Sequence, residues 1–128
     1  RQRKEPPASP AFGERYLISL VKDYLYKHHS RKVTLDEIAW QVQVSGGHLA
    51  RIFRSHEGIT VFEALRRIRI SEARRLLLET DATLETIAET TGFTSVSLFC
   101  RTFKNLLNCT PTQYRLDPDA AQQHRERG

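Results

Sequence analysis

The sequence predicts an all-α fold of about seven helices, with two helix-turn-helix subdomains joined by one long central helix. Three observations favour this class. Apolar residues recur at the spacing of one helical face through most of the 128 residues. Serines and threonines stand where those faces begin, as helix caps do. A pattern of residues in the first half of the chain returns about 50 positions later.

The repeat follows the predicted elements. Residues 33–39 resemble residues 82–88, and residues 51–54 resemble residues 101–104. The offset between the copies grows by one residue in the predicted turn, where an insertion disturbs packing least. Any small helical bundle needs one such turn, so a single copy indicates little. Two copies make a pair of helix-turn-helix lobes the more specific prediction.

The first lobe is expected over residues 14–59. Residues 1–13 are basic and proline-rich, which favours a linker, with a disordered native terminus as the alternative. The first helix should span residues 14–29. Its buried stripe is predicted to comprise Leu17, Leu20, Val21, Tyr24, Leu25 and His28.

A scaffold helix should follow over residues 34–42. Thr34 and Glu37 have the spacing of a capping box, and the apolar face of this helix turns Trp40 outward. Trp40 is expected to pack on the rim of the lobe or to donate its indole N–H to a phosphate.

The first recognition helix is predicted over residues 45–56. Ser45 caps it and Gly58 ends it. Its core face comprises Leu49, Ile52 and Phe53, with His48 packed beside them.

A long connecting helix is predicted over residues 60–80, because its apolar positions keep the helical period for about five turns. Its apolar positions are Val61, Phe62, Leu65, Ile68, Ala73, Leu76 and Leu77. Five arginines occupy the other face, which is usually solvated, although one or two could link the lobes or touch phosphate.

The second lobe is expected over residues 81–116. Thr83 and Ser95 can cap its two helices, and Gly92 suits the left-handed turn between them. Phe99 and Phe103 lie on the inner face of the second helix. Residues 110–113 have the spacing of a capping box, and a short helix should begin after Thr110. Tyr114 of this helix should pack on Phe103. Residues 117–128 are polar and are predicted to form a flexible tail.

Composition narrows the function. The formal net charge of +5 and the pI of about 9.6 favour an anionic partner. No signal peptide or membrane span is predicted, and two cysteines fit reduced thiols in a cytoplasm. No motif for catalysis, a metal or a cofactor is present. The chain lacks an initial methionine, which favours a fragment of a longer protein or a processed product.

A set of residues spread over about residues 14–116 matches one family pattern. The set is Ile38, Ala39, Ser45, Leu49, Arg51, Phe53, Arg69, Ala73, Leu76, Leu77, Ile87, Ala88, Gly92, Phe93, Phe99, Arg101, Phe103, Lys104, Pro111, Tyr114 and Arg115. It resembles the DNA-binding domain of AraC/XylS-type transcription regulators. Two departures stand out. Gln43 replaces the usual glycine of the first turn, and Gly46 and Gly47 stand where larger side chains are common.

The resemblance implies sequence-specific binding of double-stranded DNA in a bacterial cytoplasm. It also implies RNA polymerase as a partner and an effector-sensing N-terminal domain that precedes this fragment. The alternative function is a protein-interaction module that docks on RNA polymerase or on a partner regulator.

Two sets of DNA contacts are predicted. The N-terminal part of a recognition helix reaches base edges in the major groove. The predicted base-contacting residues are Gly47, Ala50, Arg51, Val96, Ser97, Cys100 and Arg101, with Gly46 beside them. The predicted phosphate-contacting residues are Thr34, Trp40, Ser45, Arg54, Thr83, Ser95 and Lys104. For Arg51 and Arg101, a solvated or intramolecular role is the alternative.

Overall fold

The computed structural model describes residues 10–120, with side chains from residue 13 onward. This part of the chain contains seven helices and no strand, which confirms the all-α prediction. The helices are α1 (Pro10–His28), α2 (Leu35–Val42), α3 (Gly46–Glu57), α4 (Val61–Glu79), α5 (Leu84–Thr90), α6 (Val96–Leu107) and α7 (Pro111–Leu116). None of these described helices is long and apolar enough to cross a bilayer.

Contacts divide the chain into two compact units, with the boundary between Leu65 and Arg66 inside α4. The first unit holds α1, α2, α3 and the start of α4. The second holds the rest of α4 with α5, α6 and α7. The finer division into lobes over 14–59 and 81–116, joined by a connecting helix over 60–80, stays a prediction.

Helix α1 begins earlier than the sequence indicated. It starts at Pro10, four residues before the expected start at residue 14, so the predicted linker over 1–13 is wrong for its last residues. Proline is compatible with the first turn of a helix, because the N–H that it lacks has no helical partner there. Residues 1–9 lie outside the described part of the chain.

The buried stripe of α1 differs from the prediction at one position. Leu17, Val21 and Leu25 are buried as expected, but Leu20 is 37% exposed and Ile18 is buried in its place. Around the helix Leu20 lies about 100° from Val21, whereas Ile18 lies about 60° from it. Ile18 therefore extends the buried stripe, and Leu20 falls on its solvent edge.

The start of α2 is tied to α1 through one carboxylate. The Glu37 backbone N–H donates to Thr34 Oγ1 at 3.1 Å, and the Thr34 N–H donates back to Glu37 Oε1 at 3.3 Å, which confirms the capping box. The other carboxylate oxygen accepts from Arg31 at 2.6 Å and from the Tyr24 hydroxyl at 2.7 Å. Together these donors, Arg31 first, hold the pKa of Glu37 at about 2.

Three aromatic contacts run through the core of the second unit. Ring centroids are 5.4 Å apart for Phe93 and Phe99, 5.9 Å for Phe99 and Phe103, and 5.6 Å for Phe103 and Tyr114. Phe99 and Phe103 are fully buried. The predicted packing of Tyr114 on Phe103 is therefore confirmed. These tilted and edge-on arrangements are the ones that aromatic quadrupoles favour.

The predicted apolar stripe of α4 needs correction. Val61, Leu65, Ala73 and Leu77 are buried, but Phe62 is 37% exposed. The prediction omitted Ile70, which is 2% exposed within the core of the second unit. A helix of this length changes packing partners between the two units, so no single stripe describes all of its buried residues.

Two arginines close the second unit. Arg115 donates from Nε to the Leu77 carbonyl and from its terminal nitrogen to the Thr80 carbonyl, both at 3.0 Å. These bonds satisfy carbonyls at the end of α4, where the helix dipole also favours a cation. Arg74 donates to the Tyr114 hydroxyl at 3.2 Å. This member of the arginine face is thus partly structural rather than solvated.

The chain continues in ordered form just beyond α7. The Ala120 N–H donates to the Asp117 carbonyl at 3.0 Å, and Ala120 packs against the core of the second unit. The prediction of a flexible tail over 117–128 is wrong for these first residues, because a small apolar side chain finds a place on the core. Residues 121–128 lie outside the described part of the chain.

Replacing Gln43 with glycine should stabilise the first unit. Gln43 has φ 64° and ψ 40°, a left-handed conformation that costs a non-glycine residue about 1 kcal/mol. We expect Gln43→Gly to raise the free energy of unfolding by up to about this amount in thermal and urea unfolding. Asn108→Gly is the matched control and should gain less, since asparagine tolerates its φ of 61° better. A loss of stability in Gln43→Gly would contradict a strained turn.

Stability should fall in acid because of Glu37. Its pKa is lowered to about 2 in the folded chain, below the ordinary value of a glutamate. Its contribution is therefore complete above about pH 4.5 and disappears as the pH falls towards 2. Glu37→Gln keeps a capping box and removes the charge, so its unfolding free energy should depend less on pH in this window. Glu89→Gln, which removes an exposed carboxylate of the second unit, is the control and should follow the unmodified chain.

Candidate nucleic-acid interface

The first helix-turn-helix consists of α2, residues 43–45 and α3. The turn depends on Gln43, whose left-handed backbone lets its N–H donate to the Trp40 carbonyl at 3.2 Å. The Val44 N–H donates to the Ala39 carbonyl at 3.1 Å. Ser45 then accepts from the His48 N–H at 3.1 Å and caps α3. This turn is left-handed although a glutamine stands where the family usually has a glycine.

The second helix-turn-helix consists of α5, residues 91–95 and α6. Gly92 has φ 92°, and the Phe93 N–H donates to the Ala88 carbonyl at 2.9 Å. Ser95 accepts from the Leu98 N–H at 3.0 Å and caps α6. This turn has five residues where the first has three, and α5 is one residue shorter than α2. The extra residue of the repeat therefore lies at the turn, as predicted.

The buried face of α3 leaves Arg51 and Arg54 outward, and the buried face of α6 leaves Arg101 and Lys104 outward. Leu49 and Phe53 of α3 are fully buried, and so are Phe99 and Phe103 of α6. Other residues of these helices are exposed: Gly47, Ala50, Arg51 and Arg54 on α3, and Ser97, Arg101 and Lys104 on α6. The structure thus leaves most of the predicted base-contacting residues accessible to a partner. Arg54 and Lys104, the two cations predicted to contact phosphate, are accessible as well.

Two predicted base contacts are only partly accessible. Val96 and Cys100 also pack against the core of the second unit, and burial raises the pKa of the Cys100 thiol. Their accessible surface is apolar, which suits contact with a thymine methyl group.

The two glycines at the start of α3 have different surroundings. A Cβ on Gly46 would lie 3.2 Å from Asp36 Oδ1, whereas a Cβ on Gly47 would have no atom within 4 Å. Gly46 therefore allows the first turn of α3 to pass close to the start of α2. Gly47 lies on open surface, and no neighbouring atom requires a glycine there.

The four predicted phosphate contacts at helix starts serve first as caps. Thr34, Ser45, Thr83 and Ser95 each accept a backbone N–H of the third residue after them. Thr83 also donates its hydroxyl to Thr86 at 3.0 Å. The amides of the first helical turn have no partner within their helix, so they are the groups left to meet an anion. Trp40, the other predicted phosphate contact on α2, is 67% exposed.

Sequence reasoning placed His48 with the core, but the structure gives it another contact. Its ring is partly exposed, and Nδ1 lies 3.1 Å from a terminal nitrogen of Arg51. The three-residue spacing of the pair on one helix is a signal that could have indicated it. Among residues 13–120, no group of metal-ligating side chains comes together.

Comparison with known proteins agrees with this arrangement. Residues 38–117 match the model of a helix-turn-helix domain family. The C-terminal domain of AraT, a response regulator from Geobacillus stearothermophilus, is 31% identical, with a TM-score of 0.74 and 84% of each chain covered. An AraC-type transcriptional regulator from Chromobacterium violaceum is 27% identical, with a TM-score of 0.77, over 87% of this chain and 97% of that one.

Two further similarities bear on function. The DNA-binding domain of AdpA, solved in complex with a target DNA, is 25% identical, with a TM-score of 0.74 over 87% of this chain and 97% of that one. An uncharacterised HTH-type transcriptional regulator of Staphylococcus aureus (strain COL) is 34% identical over 85% of this chain. The chain spans only 15% of that relative's length. The chain belongs to the AraC-type helix-turn-helix family, whose fold is that of the DNA-binding domains of transcription regulators.

Proposed function

We propose that the chain binds double-stranded DNA sequence-specifically, with α3 and α6 as recognition helices in successive major-groove segments. The observation that carries this proposal is the exposure of Arg51 and Arg101 at equivalent positions of two capped helices. A guanidinium can donate two parallel hydrogen bonds to one guanine, so each arginine can read one base pair. The binding of target DNA by the AdpA domain supports the same partner here.

Ser97 adds a hydroxyl that can donate to or accept from a base, and Val96 and Cys100 add apolar contacts. Arg54 and Lys104 follow the buried Phe53 and Phe103 directly, are exposed, and would bind phosphate beside each groove. The first-turn amides of α3 and α6 and the indole of Trp40 would add contacts that fix register.

The longer protein is a further part of the proposal. Because the chain spans 15% of the length of a curated relative, other domains would accompany it. An effector-sensing N-terminal domain and RNA polymerase are the proposed partners, and binding to a bacterial chromosome would place the domain in the cytoplasm.

Selection of binding sites from a random duplex pool with this chain tests the function. We expect a conserved site with two separate contacted segments about 34 Å apart on one face of the DNA, visible in hydroxyl-radical footprints. Affinity for this site should fall steeply with salt through counterion release. No enriched site, together with salt-insensitive binding to RNA polymerase, would favour the protein-interaction module instead. A footprint over one segment would contradict simultaneous docking.

The two arginines should act at different bases. We expect Arg101→Ala to relax specificity at one guanine at a cost of about 1–3 kcal/mol, and Arg51→Ala to do the same in the other half of the site. Lys104→Ala is the control, and it should weaken all sequences alike and lower the salt slope by about one. The measurement is titration against every single-base variant of the selected site over a salt series. Equal weakening of every sequence by both arginine changes would make them phosphate anchors.

Gly47→Ala should raise the stability of the folded chain and lower its affinity for DNA. Gly47→Ala adds a Cβ in open space to a helix, so the free energy of unfolding should rise by up to about 1 kcal/mol. DNA affinity should fall, because the bare backbone is proposed to approach the groove closely. Gly46→Ala is the matched comparison and should gain less stability, since its Cβ lies 3.2 Å from Asp36 Oδ1. Unchanged DNA affinity in Gly47→Ala would rule out the close approach.

A further inference from the structure

The first recognition helix carries a contact that the second lacks. A terminal nitrogen of the Arg51 guanidinium lies 3.1 Å from Nδ1 of His48, three residues earlier on α3. A guanidinium only donates hydrogen bonds, so the imidazole must accept through the lone pair of Nδ1. The contact therefore selects the neutral ring with its proton on Nε2.

The direction of this contact matters for reading DNA. Long side chains on a helix lean towards its N-terminus, and His48 lies on that side of Arg51. The hydrogen bond thus holds the guanidinium towards the start of α3, the end of a recognition helix that reaches base edges. Gly47, four residues before Arg51 and so one turn nearer that end, has no side chain that could reach the guanidinium. His48 supplies the one described hydrogen bond to its guanidinium.

The repeat provides an internal comparison. The Ser45 cap corresponds to Ser95 and Arg51 corresponds to Arg101, so the position of His48 is taken by Leu98 in the second lobe. The leucine side chain has no hydrogen-bonding atom, and Leu98 packs against the core of the second unit. Among residues 13–120, no side chain forms a hydrogen bond or ion pair with the Arg101 guanidinium. The two arginines therefore differ in whether a neighbouring side chain accepts a hydrogen bond from the guanidinium.

We propose that His48 is the positioning residue of the first recognition helix, α3, where it orders Arg51 for its base contact before DNA binds. The inference rests on the proposed base-reading role of Arg51. Ordering a long side chain opposes binding, and an arginine that is already held loses less freedom on contact. With Gly46, Gly47 and Ala50 offering little to the bases, discrimination by the first lobe depends mainly on the Arg51 contact that this preordering assists.

Substitutions at His48 separate positioning from packing. His48→Leu installs the residue of the second lobe, and His48→Asn keeps an acceptor close to the place of Nδ1. The DNA is the duplex that the unmodified chain selects, together with the single-base variants of that duplex. At the base pair where Arg51→Ala relaxes specificity, His48→Leu should lower discrimination about 2- to 10-fold. Discrimination at the base pair assigned by Arg101→Ala should not change, and His48→Asn should retain the original pattern.

A double substitution completes this test. In an Arg51→Ala chain, His48→Leu should have no further effect, because the side chain that it positions is absent. The proposal is overturned if His48→Leu weakens all duplexes equally, if His48→Asn behaves like His48→Leu, or if the two changes add independently. Thermal unfolding of each variant checks that the first unit remains folded.

A measurement without DNA keeps the positioning claim separate from the base-reading claim. In the free ¹⁵N-labelled chain, with imidazoles neutral, Nδ1 of His48 should show the shift of an unprotonated nitrogen. The order parameter of the Arg51 Nε–H should fall in His48→Leu and recover in His48→Asn, while that of Arg101 stays constant. A proton on Nδ1, or equal Arg51 order in all three chains, overturns the positioning role. If these results hold but Arg51→Ala leaves the preference at every base pair unchanged, only the base-reading assignment of Arg51 fails.

Discussion

The packing of one phenylalanine beneath α3 and one beneath α6 is the constraint on which the candidate interface depends. Phe53 and Phe103 are fully buried in separate units, and each fixes the rotation of its helix about the helix axis. Replacing a buried phenylalanine with alanine costs about 3–5 kcal/mol of stability. A rotation that took the ring out of the core would lose contacts of the same kind, so the rotation of each helix is well determined. Arg51 and Arg101 precede these rings by two residues, which puts them on the opposite face. The outward direction of Arg51 on α3 and of Arg101 on α6 is therefore a consequence of core burial within each unit.

The two turns reach similar hydrogen bonding with different residues. In the second, Gly92 supplies the left-handed residue without steric cost, and Thr91 is buried with its hydroxyl donating to the Ile87 carbonyl at 2.7 Å. In the first, Gln43 adopts a left-handed conformation, which is less favourable for a residue with a side chain. The caps at Ser45 and Ser95 are equivalent. The first turn keeps its geometry because the cap and the buried faces of α2 and α3 determine it more strongly than the preference of one residue.

Features set by neighbours in sequence could be predicted, and features set by distant partners could not. The caps at Thr34 and Thr110, the turn at Gly92 and the outward arginines all follow from local spacing. The burial of Ile18 rather than Leu20 depends on which side of α1 meets the other helices of its unit. The bonds from Arg115 to the end of α4 join residues 35 and 38 positions apart, a distance over which helical periodicity carries no information. The predicted DNA contacts form a third group, because accessibility follows from the fold but the bases read do not.

The two lobes repeat one architecture but differ in chemical content, and this difference shapes how they would share recognition. On α6, a hydroxyl, a guanidinium and two partly exposed apolar side chains stand near the helix start. On α3, the corresponding surface is two glycines, a methyl group and Arg51. Under the proposed function, one guanine contact worth about 1–3 kcal/mol would supply most of the discrimination of the first lobe. Its backbone amides and Arg54 would hold phosphate regardless of sequence. The second lobe would then set most of the sequence preference, while the first would add affinity and one ordered contact.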